Sequence, residues 1–115
     1  PLPSIVQMLP REQRLNLKLN FRWVASGKSY TSKNFKLFYR FGENLQPKVG
    51  VSITTAQFKK ATLRNKAKRV CFDQAQKHYG QLPKSLNLVI MPKAQVLDLS
   101  QEELGSEFSN AISNI

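Results

Sequence analysis

Acid is scarce in this chain. Seven Asp and Glu stand against 18 Lys and Arg, and the formal charge is +11. No carboxylate lies between Glu43 and Asp73. The single cysteine, Cys71, excludes an internal disulfide and fits a reducing, cytoplasmic setting. No apolar run approaches the ~18 residues of a membrane span. The opening PLPSIVQMLP lacks the basic start and long apolar stretch of a secretory signal.

The chemistry of catalysis is scarce too. A metal-dependent nuclease needs converging carboxylates or histidines, but five of the seven acids follow residue 72 and the rest are scattered. His78 is the only histidine and reads as structural or solvated. Cys71 reads as a core side chain. No Ser or Thr can be given a His or Lys partner from sequence. The expectation is therefore no catalytic and no metal-binding residue in the chain itself, and no small-molecule substrate. Any catalysis must come from a partner.

What is present is positive charge and aromatic surface. The chain has 115 residues, 41% of them hydrophobic, enough for one domain (1–115) with a modest core. Residues 1–72 hold 15 basic residues against two acids, about +13, whereas 73–115 come to about −2. A half-molecule of that charge repels itself unless a polyanion neutralises it.

Residues 1–10, with three prolines, predict an extended segment. A helix is expected over 17–26, stopped by Gly27, with Phe21, Val24 and Ala25 on one face. FKLFYR alternates as a strand: Phe35, Leu37 and Tyr39 on one face, Lys36, Phe38 and Arg40 on the other. KVGVSIT predicts a second strand, hairpin-paired to the first, and Tyr30–Ser32 a weak further one. A long helix is expected from Ala56 to Tyr79, ended by Gly80. LNLVIMP reads as a short buried strand. Ser100 and Glu103 form the signature of a capping box, opening a helix to about Ile112. The order predicts one α+β sandwich, a sheet packed by helices.

KKATLRNKAKR, residues 59–69, carries six positive charges and no negative one. Leu63, Ala67, Val70 and Cys71 predict a narrow core-facing stripe. Arg64 and Lys68 form one flanking row; Asn65, Arg69 and Phe72 form another, further round and outward. Like charges at i, i+4 destabilise an isolated helix by ~0.2–0.5 kcal/mol per pair, the wrong sign for a helix built only for stability. Arg can grip a phosphate bidentately, and Asn can meet sugar or base edges. The ring of Phe38 between two cations suits a single strand, whose bases stack while its phosphates pair. On pattern alone Phe21 reads as core, and Trp23 and Phe38 fit either role. The residues alone leave two readings: an RNA-binding protein, such as a structural ribosomal one, or a peripheral membrane protein. The small stripe disfavours the last.

The segment K-A-x-x-R-N-x-x-K-R (Lys60, Ala61, Arg64, Asn65, Lys68, Arg69) resembles the protein subunit of bacterial-type ribonuclease P. The resemblance starts at Arg14-Leu15, passes through Phe21, Gly27, FKLFY and VGVSIT, and reaches LNLVIMPK. It implies an αβββαβα sandwich of about four strands with a left-handed βαβ crossover. It implies a complex with a catalytic RNA that, with Mg²⁺ bound by RNA and substrate, removes the 5′ leader of precursor tRNA. It implies RNA contact through the matched helix positions Lys60, Arg64, Asn65, Lys68 and Arg69, to which the charge of the segment adds Lys59 and Lys66. It implies a leader cleft at Phe21 and Phe38; the strand alternation adds Lys36 and Arg40 beside Phe38, and Trp23 is the candidate substitute for the aromatic missing at Ala25. The chain departs from the family pattern at Thr55, Ala56 and Gln57, where Ser-Lys-Lys is usual. It departs again at Lys59, usually Gly, at Phe72-Asp73, usually Arg and an acid, and at Ala25, usually aromatic.

Overall fold

The apolar run LNLVIMP takes an interior place in the sheet, as a strand buried on both faces should. The computed structural model describes residues 13–115, so the expected extended segment 1–10 lies outside the described residues. Its elements are α1 (Leu17–Ala25), β1 (Lys28–Thr31), β2 (Phe35–Phe41), β3 (Lys48–Val51), α2 (Ala61–Lys77), β4 (Leu86–Pro92) and α3 (Gln101–Ser113), with 3₁₀ turns at Tyr79–Gln81 and Ala94–Asp98. This is the αβββαβα order expected.

The four-stranded sheet runs β1-β2-β4-β3. β2 pairs antiparallel with β1 and β4, and β3 lies parallel to β4. The predicted hairpin between β2 and β3 is therefore absent: β4 sits between them, and α2 carries the chain across from β3 to β4. The physical reason is burial. β4 has no polar face to leave at an edge, so it takes the middle, and the local turn at 42–47 does not decide the pairing.

Phe35, Leu37 and Tyr39 of β2 face the main core with Val49, Val51, Leu88 and Ile90. Ala67, Cys71, Phe72 and Ala75 of α2 and Leu104, Phe108 and Ala111 of α3 close it. The second sheet face is partly covered by α1, through a small cluster of Leu15, Val24 and Val89 with Leu17, Phe21 and Phe38 against it. Gly50 permits this approach: a Cβ there would stand 2.8 Å from Leu17 Cδ2.

Helix ends follow local chemistry. Asn16 caps α1 by accepting from the Lys18 N–H, and Ser100 and Glu103 form the expected capping box at α3. The long helix begins later than predicted, at Ala61. The Phe58 N–H donates to Thr54 O at 3.0 Å, closing a separate turn that drops the Phe58 ring into the core. It also stops earlier, at Lys77, because the chain tightens into the 3₁₀ turn at Tyr79–Gln81. Gly80 does not adopt positive φ, so it is not a left-handed cap.

Candidate nucleic-acid interface

α2 buries Ala67, Cys71, Phe72, Gln74 and Ala75. Two expectations for its faces change. Leu63 is 39% exposed, because the first turn of α2 projects past the core, and Phe72, expected outward, is 3% exposed and part of the core. The i, i+4, i+8 line Ala67–Cys71–Ala75 sets the buried face, and Phe72 flanks it. Lys59, Lys60, Asn65, Lys66, Lys68 and Arg69 are all exposed, and Arg64 is half-buried. Among the described residues none of these cations pairs with a carboxylate; the ion pair on α2 is Lys77–Asp73, 3.3 Å, a helical turn beyond them.

Arg64 has a second duty. Its Nη1 donates to Phe58 O at 2.9 Å and to Lys59 O at 3.0 Å, tying the turn before α2 to the helix. Lys60 at the N-cap makes no side-chain cap bond, so the clasp is what fixes the preceding turn against the helix. The remaining guanidinium N–H groups stay available for a phosphate.

The open sheet face carries the aromatic residues. Lys36, Phe38 and Arg40 share it, as the alternation predicts. Phe38 meets Phe21 of α1 edge to face, ring centroids 6.3 Å apart, and Lys36 Nζ lies 4.9 Å above the Phe38 ring. Arg40 lies over Trp23, its Cζ 4.8 Å from the ring centroid. Its Nη1 donates to Trp23 O and to Ser26 Oγ. The five residues expected to line the cleft thus form two assemblies along β2: Phe21, Phe38 and Lys36, then Trp23 and Arg40. Trp23 stands two residues from Phe21, roughly 200° round the helix, so it looks toward the far end of β2.

A cleft of about 490 Å³ joins the basic helix to α1. Arg14, Lys18 and Lys68 border it, with Leu17, Gly50 and Phe72 among its lining. Arg14 and Lys18 were not legible as site residues. Arg14 is placed by a parallel bridge to Val49, with the Leu15 N–H donating to Val49 O at 2.9 Å. That long-range pairing leaves no periodic signal in the sequence.

The candidate chemical groups lie elsewhere. Burial pushes the Cys71 thiol up to about 12, so it is inert. His78 Nδ1 lies 2.9 Å from Gln74 O, and its ring packs 5.4 Å from that of Phe108. Among the described residues no three His, Cys, Asp or Glu side chains converge as a metal site would need. The described carboxylates are too dispersed to form a Mg²⁺ cage. No helix of the described residues is long and apolar enough to cross a membrane.

Residues 9–115 match the sequence model of the ribonuclease P family. The chain belongs to the ribonuclease P protein family. It is 30% identical over 95 residues to the ribonuclease P protein component of Pseudoalteromonas atlantica, covering 82% of this chain and 78% of that one. Against the component from Thermotoga maritima it is 27% identical over 93 residues, covering 80% and 79%. The solved ribonuclease P protein of T. maritima shares the fold with a TM-score of 0.80 at 23% identity, over 89% of this chain and 96% of that one. The Staphylococcus aureus protein does so with a TM-score of 0.75 at 16% identity, over 88% and 93%. The mixed α+β fold is that of ribonuclease P proteins.

Proposed function

We propose that this chain is the RNA-binding subunit of ribonuclease P. It assists a catalytic RNA in endonucleolytic removal of the 5′ leader from precursor tRNA, in the cytoplasm. One observation carries the reading: six cations, Lys59 and Lys60 just before α2 and Arg64, Lys66, Lys68 and Arg69 on it, are unpaired among the described residues, and the cleft beside Lys68 is bordered by α1, whose Phe21 meets Phe38 of the sheet. The exposed row from Lys59 to Arg69 suits the phosphates of a folded RNA, with Arg64 and Asn65 giving directional contacts. The open face suits an unpaired strand: Phe38 offers a ring for a base, while Lys36, Arg14, Lys18 and Lys68 attract its phosphates.

The division of labour follows. The chain binds, orients and neutralises; the RNA performs the hydrolysis, with Mg²⁺ held by RNA and substrate supplying charge stabilisation there. Neutralising phosphate repulsion is also what a high Mg²⁺ concentration does. The test is therefore cleavage of a labelled precursor tRNA by the cognate ribonuclease P RNA at low Mg²⁺, with and without the chain. Strong stimulation by the chain, and no cleavage by the chain alone, is expected. An RNA that is active at high Mg²⁺ yet unresponsive to the chain at low Mg²⁺ overturns the reading.

A further inference from the structure

β4 carries one polar side chain in an otherwise apolar run, Asn87, and it is 5% exposed. Its Nδ2 donates to Asn44 Oδ1 at 2.9 Å and to Arg40 O at 3.3 Å. Asn44 is fixed in turn, its own Nδ2 donating to Gln46 O and Leu86 O. Among the described residues nothing donates to Asn87 Oδ1. Its Nδ2 is committed, so what the amide has left to offer is Oδ1 as an acceptor, an atom that is not sealed in the core.

Asn87 lines a recess of about 570 Å³ at the far end of β2. Trp23, Phe41, Asn44, Glu43 and Lys48 are also part of its wall. The rings of Trp23 and Phe41 are 38% and 47% exposed, a large apolar surface to leave in water. Gly42 keeps the recess open beside Trp23: a Cβ there would stand 3.0 Å from the Trp23 ring and 2.9 Å from Asn87 Nδ2. Arg40 lies over the indole, its Cζ 4.8 Å from the ring centroid, and donates to the Trp23 carbonyl.

The polar groups on offer have a sign. Asn87 Oδ1 and the Glu43 carboxylate are acceptors, and Lys48 supplies one cation at the rim. Two rings, two acceptors and one cation match a nucleotide whose base presents an amino group. Uracil would turn its O4 carbonyl toward the same acceptors where cytosine turns its N4 amino group, and would have only its ring N3–H to donate. The recess also lies on the path of the open face, because Phe38 and Arg40 are successive same-face residues of β2, roughly 7 Å apart.

We infer that the recess between Trp23 and Asn87 is a second base-binding subsite, which takes one amino-bearing nucleobase of a single strand that also passes Phe38. This rests on the reading of the open face as a single-strand cleft. It adds a selectivity for sequence to a surface that stacking alone leaves indifferent.

Trp23 is the only tryptophan in the chain, so its emission reports on the recess directly. The test is titration of the full chain at low salt with octacytidylate and octauridylate, which differ in presenting an amino or a carbonyl group at C4. Binding is read by anisotropy of the labelled oligonucleotide and, in parallel, by Trp23 fluorescence. Octacytidylate should bind about fivefold to tenfold more tightly, the effect of a good base contact, and should quench Trp23 more. Glu43→Ala, at an exposed position, should bring the two affinities together. Equal binding of both with Trp23 emission unchanged overturns the subsite and leaves the single-strand cleft standing. Equal quenching by both overturns the base selectivity. No binding of either removes the cleft and the subsite together.

Discussion

Phe21 of α1 and Phe38 of β2 meet at 75°, edge to face, with ring centroids 6.3 Å apart. The contact braces Phe38 while leaving it half-exposed, so the ring is presented without being free to turn away. Such a pair is worth ~0.5–1.5 kcal/mol beyond the area it buries.

Phe38→Ala should weaken binding of precursor tRNA with a long leader by ~1–3 kcal/mol, the worth of one stacked base. Leaderless tRNA should bind the variant holoenzyme as it binds the parent. Comparing the two affinities checks this, and an equal loss on both would sink the assignment of Phe38 to the leader.

Arg64 and Asn65 are neighbours with separable roles. Asn65 is exposed, so Asn65→Ala should leave stability within ~0.5 kcal/mol yet weaken assembly with the ribonuclease P RNA. Arg64→Ala removes the clasp on Phe58 O and Lys59 O. It should cost about 1 kcal/mol of stability as well as assembly. Denaturant melts beside RNA-binding isotherms distinguish them; equal stability of the two variants would refute the clasp.

The basic helix predicts a steep salt response. Engaging about six phosphates of duplex-like RNA gives a log–log slope on the order of −5. Lys68→Ala should reduce the slope by about 1. Binding measured across a salt series checks it, and a slope near zero would falsify the electrostatic reading of α2.

Cys71 sets an alkaline limit. Its pKa is raised from 9.0 to about 12 by burial. Above pH 9 the unfolded chain gives up the thiol proton while the folded chain keeps it. Stability from this group is therefore complete below pH 9 and lost as pH rises toward 12. Cys71→Ala should flatten that part of the stability profile. A thiol reagent at pH 8 should label the folded chain only as fast as it opens; rapid labelling under native conditions would contradict the burial.

Local features of the fold were legible in the sequence. The alternation of FKLFYR gives the faces of β2 correctly, and Ser100 with Glu103 marks the start of α3 because a capping box is a contact between near neighbours. LNLVIMP is a strand with the bounds expected. The failures are long-range. No pattern inside KVGVSIT says that its partner is a strand 40 residues on, although the missing polar face of LNLVIMP was a clue that it lies inside the sheet. Phe72 looked outward because a stripe drawn through Leu63 was phased one turn too early. Arg14 and Lys18 join the cleft only because the chain before α1 bridges to β3. Asn87 reads from sequence as an ordinary polar residue in a strand; its significance depends on which of its two amide atoms the fold satisfies.

If RNA grips α2 as proposed, the placement of that helix between two paired strands makes RNA a partner in holding the protein together. The helix cannot loosen without releasing the link from β3 to β4, so a grip on its cations clamps the sheet as well. Relief of the crowded charge acts in the same direction. A partner at a hundredfold above its Kd adds about 2.7 kcal/mol to the folded state, a large fraction of the few kcal/mol a domain of this size commands. The midpoint of thermal unfolding thus becomes a gauge of occupancy, and the chain when free of RNA is the form most exposed to proteolysis.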